Sequence, residues 1–184
     1  FGKTFRALAL AVLVLASIPL QFALFETWRM GHDFPLLDSF ERRWETLRWQ
    51  ENGSRLTLSG LHATQGTRSI KVVLAPGIYP GIALDRLKSD WSGYGSFSFD
   101  AFLEGGTPVR MTVRINDSQH DQTYGDRFNK SFTLVPGGNR ITVDLGEVRK
   151  APRGRAMDMR QVSKVVIFSH LLQEHRTLYF DNFR

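Results

Sequence analysis

The chain has 184 residues, of which 42% are hydrophobic and 23% are charged, a composition typical of one globular domain with an appended segment. It has no cysteine, which excludes disulfides, thiolate metal sites and a cysteine nucleophile. The net charge is +6, but the basic residues are scattered apart from Arg149-Lys150, Arg153 and Arg155. We therefore expect no nucleic-acid partner. The cluster is interpreted as a solvated loop, with anionic lipid or an acidic partner as the alternative.

An apolar run covers residues 7–25 and approaches the ~20 residues that cross a bilayer as a helix. Lys3 and Arg6 precede it without an acid, so the positive-inside rule predicts a cytoplasmic N-terminus and a periplasmic or extracellular domain. A cleavable signal peptide is the alternative, but no small-x-small cleavage site precedes Glu26. We predict a retained anchor. The expected organisation is a transmembrane anchor, a linker and a folded domain over residues 1–30, 31–37 and 38–184.

Alternating apolar residues recur along the rest of the chain, as in strands with one wet face. The clearest sets are Val109, Met111, Val113 and Ile115, then Ile70, Val72 and Leu74, then Phe97, Phe99 and Ala101. The apolar run 165–168 predicts a central strand buried on both sides. Turn residues separate these runs and leave no room for a helix of useful length. About eight or nine short strands predict an all-β antiparallel sandwich or jelly roll.

One polar loop stands out between two strand patterns. Residues 131–145 are predicted to form a β-hairpin, because Gly137-Gly138-Asn139 supplies residues that tolerate positive φ. The loop before it, Asn116 to Asn129, carries Asp117, His120, Asp121, Tyr124, Asp126 and Arg127. An apolar core would not accept this density of unpaired polar groups. We expect the loop to lie at a rim and to form part of the functional site.

Short motifs in a fixed order carry a family resemblance over residues 37–184. They are Asp38-Ser39-Phe40-Glu41, Tyr79-Pro80-Gly81-Ile82, Asp90-Trp91-Ser92-Gly93-Tyr94, Asp126-Arg127-Phe128-Asn129, Met157-Asp158-Met159 and Tyr179-Phe180-Asp181-Asn182-Phe183. In this order they resemble galactose-binding-like β-sandwiches, which include carbohydrate-binding modules and the complex I intermediate-associated protein domain. The resemblance implies a jelly-roll sandwich and leaves the ligand open, because one fold hosts many functions.

The resemblance also implies a glycan surface of aromatic platforms with polar side chains beside them. The candidates near loops and strand ends are Tyr79, Trp91, Tyr94, Arg114, Asn116, Tyr124 and Arg127. Two alternatives stay open. Trp91 and Tyr94 can instead belong to the core, and Arg114 can form a cross-strand ion pair.

Three acids in the loop, Asp117, Asp121 and Asp126, raise the question of paired acid–base catalysis. Spacing alone does not set two of them across a cleft, and His120 beside Asp121 has no serine nucleophile elbow nearby. We therefore expect a non-catalytic protein.

A structural calcium ion near the chain ends is a further implication of the resemblance. Glu41 and Asp181 are the matching positions, and Asp38 would complete the oxygen shell that calcium requires. The alternative is that these carboxylates cap turns or pair with Arg42 or Arg184. We expect no other cofactor.

Two functions follow. The first is a membrane-anchored, extracytoplasmic module that binds polysaccharide or a protein partner. The second is an accessory subunit of a respiratory or photosynthetic type of membrane complex. The second rests on the retained helix and on a resemblance that includes an assembly factor as well as sugar binders. Small residues in the helix, namely Ala7, Ala9, Ala11, Ala16 and Ser17, would also permit close helix contact in a membrane.

Overall fold

The computed structural model describes residues 2–184. They form two compact units that divide after Phe34. The first unit contains one helix, α1 (Gly2–Asp33), which continues through Pro19 and through Gly31. Its length and apolar composition suffice to cross a membrane, although a signal sequence would meet the same criteria.

The second unit, Pro35–Arg184, is a sandwich of two five-stranded antiparallel sheets. The strands are β1 (Trp49–Asn52), β2 (Ser54–Ser59), β3 (Ser69–Leu74), β4 (Gly81–Leu84), β5 (Ser96–Leu103), β6 (Val109–Asp117), β7 (Phe128–Leu134), β8 (Gly137–Asp144), β9 (Val162–Ser169) and β10 (Arg176–Asp181). We call the sheet with order β1-β4-β9-β6-β7 the front sheet. The back sheet has the order β2-β3-β10-β5-β8. The predicted all-β sandwich is confirmed.

The core lies between the two sheets and is rich in aromatic rings. Phe99 stacks on Phe183 with ring centroids 5.0 Å apart, and Phe97 stacks on Trp91 at 5.4 Å. Each fully buried large apolar side chain contributes about 1.5–3 kcal/mol of transfer free energy. The chain ends close this core, because the Leu37 N–H donates to the Phe183 carbonyl and the Phe183 N–H donates to the Asp38 carbonyl. The second unit therefore contains a complete core of its own.

The predicted hairpin over 131–145 is wrong. β7 pairs with β6 in the front sheet, whereas β8 pairs with β5 in the back sheet. Gly137 does adopt a positive φ of 92°, but the chain there passes from one sheet to the other. The alternation within each strand was correct, and the pairing was not, because β8 finds eight residues of register with a strand from earlier in the chain.

Two short helices complete the sandwich. A 3₁₀ helix covers Arg43–Arg48, and α2 covers Leu145–Lys150. The turn residues predicted no helix of useful length in this part of the chain, and each of these two helices has only six residues. α2 begins at Asp144, whose carboxylate accepts the backbone N–H of Glu147 at 3.0 Å, and this cap satisfies one of the free donors of a helix start.

Candidate functional site

An open groove of about 1040 Å³ lies on the front sheet. All five strands of that sheet line it, together with residues from adjoining loops. The lining side chains include Gln50, Glu51, Asn52, Tyr79, Ile82, Arg110, Thr112, Arg114, Tyr124, Arg127, Asn129, Ser131, Lys164, Val166, Phe168 and His170. Most of these residues are polar or charged, and Tyr79, Tyr124 and Phe168 add aromatic surface, so the groove can accept a ligand that both forms hydrogen bonds and packs on rings.

The floor of the groove follows from strand alternation. Side chains two residues apart on one strand point to the same face of a sheet. Two rows therefore cross the floor, namely Ala83, Val166, Arg114 and Asn129, and Gly81, Phe168, Thr112 and Ser131. The rows mix apolar surface with hydrogen-bonding groups.

Gly81 permits the close approach of β4 and β9 beneath the groove. A Cβ atom at this position would lie 2.2 Å from the carbonyl oxygen of Ile167 and 2.6 Å from the Cα of Phe168. Both are backbone atoms, so a side chain would force the two strands apart. Glycine is thus required here by the geometry of the floor.

Exposed tyrosines stand at opposite ends of the groove. Tyr79 is 53% exposed, meets Phe168 edge-on at 5.6 Å and stacks on His170 at 5.1 Å. Tyr124 is 71% exposed, and the Arg127 guanidinium lies 5.1 Å from its ring centroid. β6 and β9 are antiparallel, so the end of β6, which leads into the Tyr124 loop, lies beside the start of β9. Tyr79 lies beside Phe168, near the end of β9, and therefore at the other end of the groove. Both rings offer a face to a ligand.

A buried ion-pair network holds the loop that carries Tyr124. Arg155 donates to both oxygens of Asp117, at 2.6 and 2.8 Å, and to both oxygens of Asp126, at 2.5 and 2.9 Å. Burial opposes the ionisation of Asp117, but the hydrogen bonds from Arg155 outweigh it and lower the Asp117 pKa. The same guanidinium lowers the pKa of Asp126 to about 2. Arg155 therefore fastens both ends of the loop. It departs from the solvated-loop interpretation of the basic cluster, whose other members, Arg149, Lys150 and Arg153, are exposed.

His120 links this loop to the floor. One ring nitrogen, Nδ1, lies 2.7 Å from the Asp126 carbonyl oxygen, and the other, Nε2, lies 3.0 Å from Nη2 of Arg114. Because a guanidinium can only donate, Nε2 must accept, and the neutral ring with its proton on Nδ1 satisfies both contacts. His120 thus fixes the direction of the Arg114 guanidinium.

His120, Asp121 and Asp126 are the one group of potential metal ligands that comes together within 4.8 Å among residues 2–184. Both ring nitrogens of His120 already have partners. The Asp126 carboxylate accepts two bonds from Arg155 and one from the Asp121 N–H. These bonds use the lone pairs that a cation would need, so the cluster is a structural network.

The structure brings four of the seven glycan candidates together, namely Tyr79, Arg114, Tyr124 and Arg127. Trp91 is 3% exposed and donates its indole N–H to the Lys88 carbonyl, so it offers no ring face and belongs to the core. Asn116 is also buried and donates to the Ser163 hydroxyl. Tyr94 is 44% exposed but lies outside the groove lining.

Sequence reasoning missed several groove residues, among them Arg110, Lys164 and His170. A signal for Arg110 was present, because it alternates with Thr112 and Arg114 on the polar face of β6. No local signal indicated Lys164, because only the β4–β9–β6 register brings its strand into the floor.

The carboxylates of the calcium prediction face N–H and O–H donors in this structure. Asp181 accepts the backbone N–H groups of Thr64 and Gln65, at 2.6 and 2.7 Å. Glu41 accepts those of Thr67 and Arg68, at 2.8 and 2.7 Å. A cation needs oxygen ligands with free lone pairs. The partial positive charges of these four N–H groups would repel a cation instead.

Asp38 belongs to a different cluster, where it forms an ion pair with Arg48 at 2.9 Å and accepts the Trp49 indole N–H at 2.7 Å. The geometry therefore matches the alternative in which these carboxylates cap turns, and the effect of calcium on the melting temperature decides between that alternative and the calcium site that the resemblance implies.

No protein-family model matches the chain, and no curated protein matches it either. Solved structures do. An exo-β-agarase superposes with a TM-score of 0.65 at 15% identity, over 81% of this chain and 25% of that one. A family 11 carbohydrate-binding module from Clostridium thermocellum, solved with a β-1,3-1,4-mixed-linked tetrasaccharide, gives 0.60 at 17% identity, over 80% of this chain and 92% of the module.

A second agarase superposes with a TM-score of 0.61 at 18% identity, over 81% of this chain and 25% of that one. The chain therefore spans a quarter of the agarase chains and nearly the whole of the binding module. At these low identities the superpositions show a shared fold, an antiparallel β-sandwich like that of the family 11 carbohydrate-binding module. The resemblance to the complex I intermediate-associated protein domain stays a prediction.

Proposed function

We propose that residues 35–184 are a non-catalytic domain that binds polysaccharide in the groove of the front sheet. The observation that carries the proposal is the groove itself, which is open along the sheet and has an exposed tyrosine at each end. Aromatic faces bind the apolar faces of sugar rings, and the side chains between them can bond to hydroxyls. Solved neighbours that include a tetrasaccharide complex support the same use of the fold.

The groove chemistry supports binding without hydrolysis. Glycoside hydrolysis canonically needs two carboxyl groups that face each other across the scissile bond. Glu51 is the one acidic residue in the groove lining, and its Oε1 accepts the backbone N–H of Leu56 at 2.6 Å. In the neighbouring loop, Asp117 and Asp126 are held by Arg155 instead.

The proposal includes a membrane anchor. α1 is long and apolar enough to span a bilayer, and its apolar side chains are exposed. Lys3 and Arg6 lie at one end of the apolar run, which favours that end in the cytoplasm and the sandwich on the periplasmic or extracellular side. The domain would then hold polysaccharide close to the membrane surface.

Affinity electrophoresis of residues 35–184 tests binding directly, because this unit has its own core. Gels would contain mixed-linked β-1,3-1,4-glucan, agarose, polygalacturonate or κ-carrageenan. We expect retardation by at least one polymer, and loss of about five- to thirtyfold in affinity for Tyr79→Ala and Tyr124→Ala, since truncated aromatic anchors commonly cost about 1–2 kcal/mol.

Tyr94→Ala is the matched control, because Tyr94 is an exposed tyrosine outside the groove. It should migrate like the parent protein on every gel. Free migration of the parent through all four polymers would overturn the proposal, and equal losses for Tyr94→Ala and Tyr124→Ala would place the site elsewhere.

The accessory-subunit function is the second candidate. Ala7 and Ala11 lie one helical turn apart on α1 and present a small-residue face for close helix contact. Purification of the full chain in mild detergent separates the two functions. Co-purification with a defined membrane complex supports a subunit, and a free monomer whose sandwich binds polysaccharide supports the module.

A further inference from the structure

The groove is strongly basic. Arg110, Arg114, Arg127 and Lys164 line it, and Glu51 is the one acid among the lining residues. Lys164 is balanced from outside the lining by Asp85, at 2.9 Å. Three guanidinium charges remain on a surface that would otherwise suit a neutral sugar.

These three guanidinium groups have no acidic partner within residues 2–184, where no carboxylate oxygen lies within 4.0 Å of them. Arg114 spends one N–H on His120, and Arg127 lies against the Tyr124 ring. The Nε atoms of Arg114 and of Arg127 are both buried and have no hydrogen-bond partner. Buried donors are normally satisfied, so these two unpaired N–H groups add to the cost of the unpaired charges.

The charges also repel one another. Burial lowers the pKa of Arg114, and the positive charge of Arg127 lowers it further. Arg155, by contrast, lies between the carboxylates of Asp117 and Asp126. A ligand that brings negative charge into the groove would offset this repulsion.

The spacing of the charges suits a polymer. Arg110 and Arg114 point to the same face of β6 and are four residues apart, which is about 13 Å along a strand. Arg127 adds a second charge near Arg114. Guanidinium groups bind carboxylate and sulfate-like oxyanions with paired N–H donors, whereas sugar hydroxyls cannot supply the opposing charge.

From this arrangement we infer that the groove selects an acidic polysaccharide, one that carries repeated carboxylate or sulfate groups and sets them on Arg110, Arg114 and Arg127. The inference rests on the proposed function and narrows its ligand class. Tyr79 and Tyr124 hold the sugar rings at the two ends, and the guanidinium groups hold the charges between them.

Matched polymer pairs test the inference with residues 35–184. Polygalacturonate and its methyl ester share a backbone but differ in charge, and κ-carrageenan and agarose differ chiefly in sulfate. We expect each acidic polymer that binds to do so at least tenfold more tightly than its neutral partner, with affinity falling as salt rises from 50 to 500 mM. The two pairs distinguish carboxylate from sulfate as the recognised group.

Variants locate the effect. Arg110→Gln and Arg114→Gln should each weaken acidic-polymer binding about tenfold and so reduce the preference for an acidic polymer over its neutral partner. Arg110 is exposed, so its variant should fold even if the Arg114 variant does not. Arg149→Gln is the control, because Arg149 is an exposed arginine outside the groove.

The outcomes separate this inference from the proposed function. Equal affinity for charged and neutral partners overturns the acidic selectivity while leaving polysaccharide binding intact. Absence of binding to mixed-linked β-1,3-1,4-glucan and to both members of each pair overturns the proposed function, and the inference with it. Equal retention of duplex DNA, with Arg149→Gln weakening binding as much as Arg110→Gln, would show a general affinity for polyanions and would overturn the inference.

Discussion

The outer faces of the two sheets carry similar residues but satisfy them differently. On the back sheet, Arg140 forms an ion pair with Asp100 at 2.8 Å. Tyr179 donates its hydroxyl to Glu104 at 3.2 Å and receives the Lys71 ammonium near its ring. On the front sheet, the arginines of the groove lack an acidic partner among the described residues.

Unpaired polar groups, rather than exposed ones, distinguish the ligand-binding face from the other face. Both faces arise from the same alternation of apolar and polar residues, so exposure alone does not distinguish them. A smaller cavity of about 420 Å³ lies on the back sheet, but Asp100 and Arg140 bond to each other in its wall. Polar groups that already bond to one another have few donors and acceptors left for a ligand, whereas unpaired groups can still bond to one.

The largest expected effect comes from removing Arg155, which supports the front-sheet loop. Arg155→Ala leaves the fully buried Asp117 carboxylate without its counter-ion, and breaking such a pair costs about 3 kcal/mol or more. Urea denaturation of residues 35–184 should show this loss of unfolding free energy, with weaker binding in the groove. Arg149→Ala, from the same basic cluster, should unfold like the parent. A change below 0.5 kcal/mol for Arg155→Ala would contradict the network.

Gly81 offers a sharper probe of the groove floor. Gly81→Ala forces β4 away from β9, because its Cβ would lie 2.2 Å from the Ile167 carbonyl oxygen. Overpacking of this kind costs about 1–3 kcal/mol, which denaturation measures. Gly138→Ala on the back-sheet strand β8 is the control, since a Cβ there meets nothing within 4 Å. Similar losses for both variants would mean that the floor geometry has no special requirement.

Acid should loosen the front-sheet loop through Asp126. Its pKa is lowered in the folded protein, from an ordinary value near 3.8 to about 2, chiefly by hydrogen bonds from Arg155. Its contribution to stability is therefore complete above pH 4 and is lost as the pH falls from about 4 to 2. Melting temperatures in this window should fall less steeply for Asp126→Asn than for the parent. Parallel curves would contradict this assignment.

Calcium should have the smallest effect. Glu41 and Asp181 lie at the back-sheet side of the chain ends, where loop amides already donate to both carboxylates. A ligand stabilises the folded state only in proportion to its binding. We expect melting curves in 5 mM calcium and in chelator to agree within about 1 °C. A rise of several degrees in calcium would restore the calcium site that the family resemblance implies.

Much of the fold could be predicted from local patterns, because a period of two is set by the strand itself. Alternation placed Arg110, Thr112 and Arg114 together on one face of β6 without any tertiary information. Tyr124 was predicted as a binding residue because it is an aromatic residue in a polar loop, and it is exposed.

The remainder depends on contacts between distant parts of the chain. β8 pairs with β5 rather than β7, and Arg155 reaches Asp117 from 38 residues away. The motif around Trp91 predicted a sugar platform, yet the ring is buried and stacks on Phe97 in the core. Local sequence does not reveal which exposed-looking group the rest of the chain will cover.

Amide chemical-shift mapping tests the central claim most directly. Uniformly ¹⁵N-labelled residues 35–184 would be titrated with a short acidic oligosaccharide cut from whichever polymer retards the domain. We expect saturable chemical-shift changes at the amides of Thr112, Arg114 and Val166 on the front sheet. The amide shifts of Lys71 and Thr142 on the back sheet should not change. Shifts confined to the back sheet, or none at saturating oligosaccharide, would contradict the central claim.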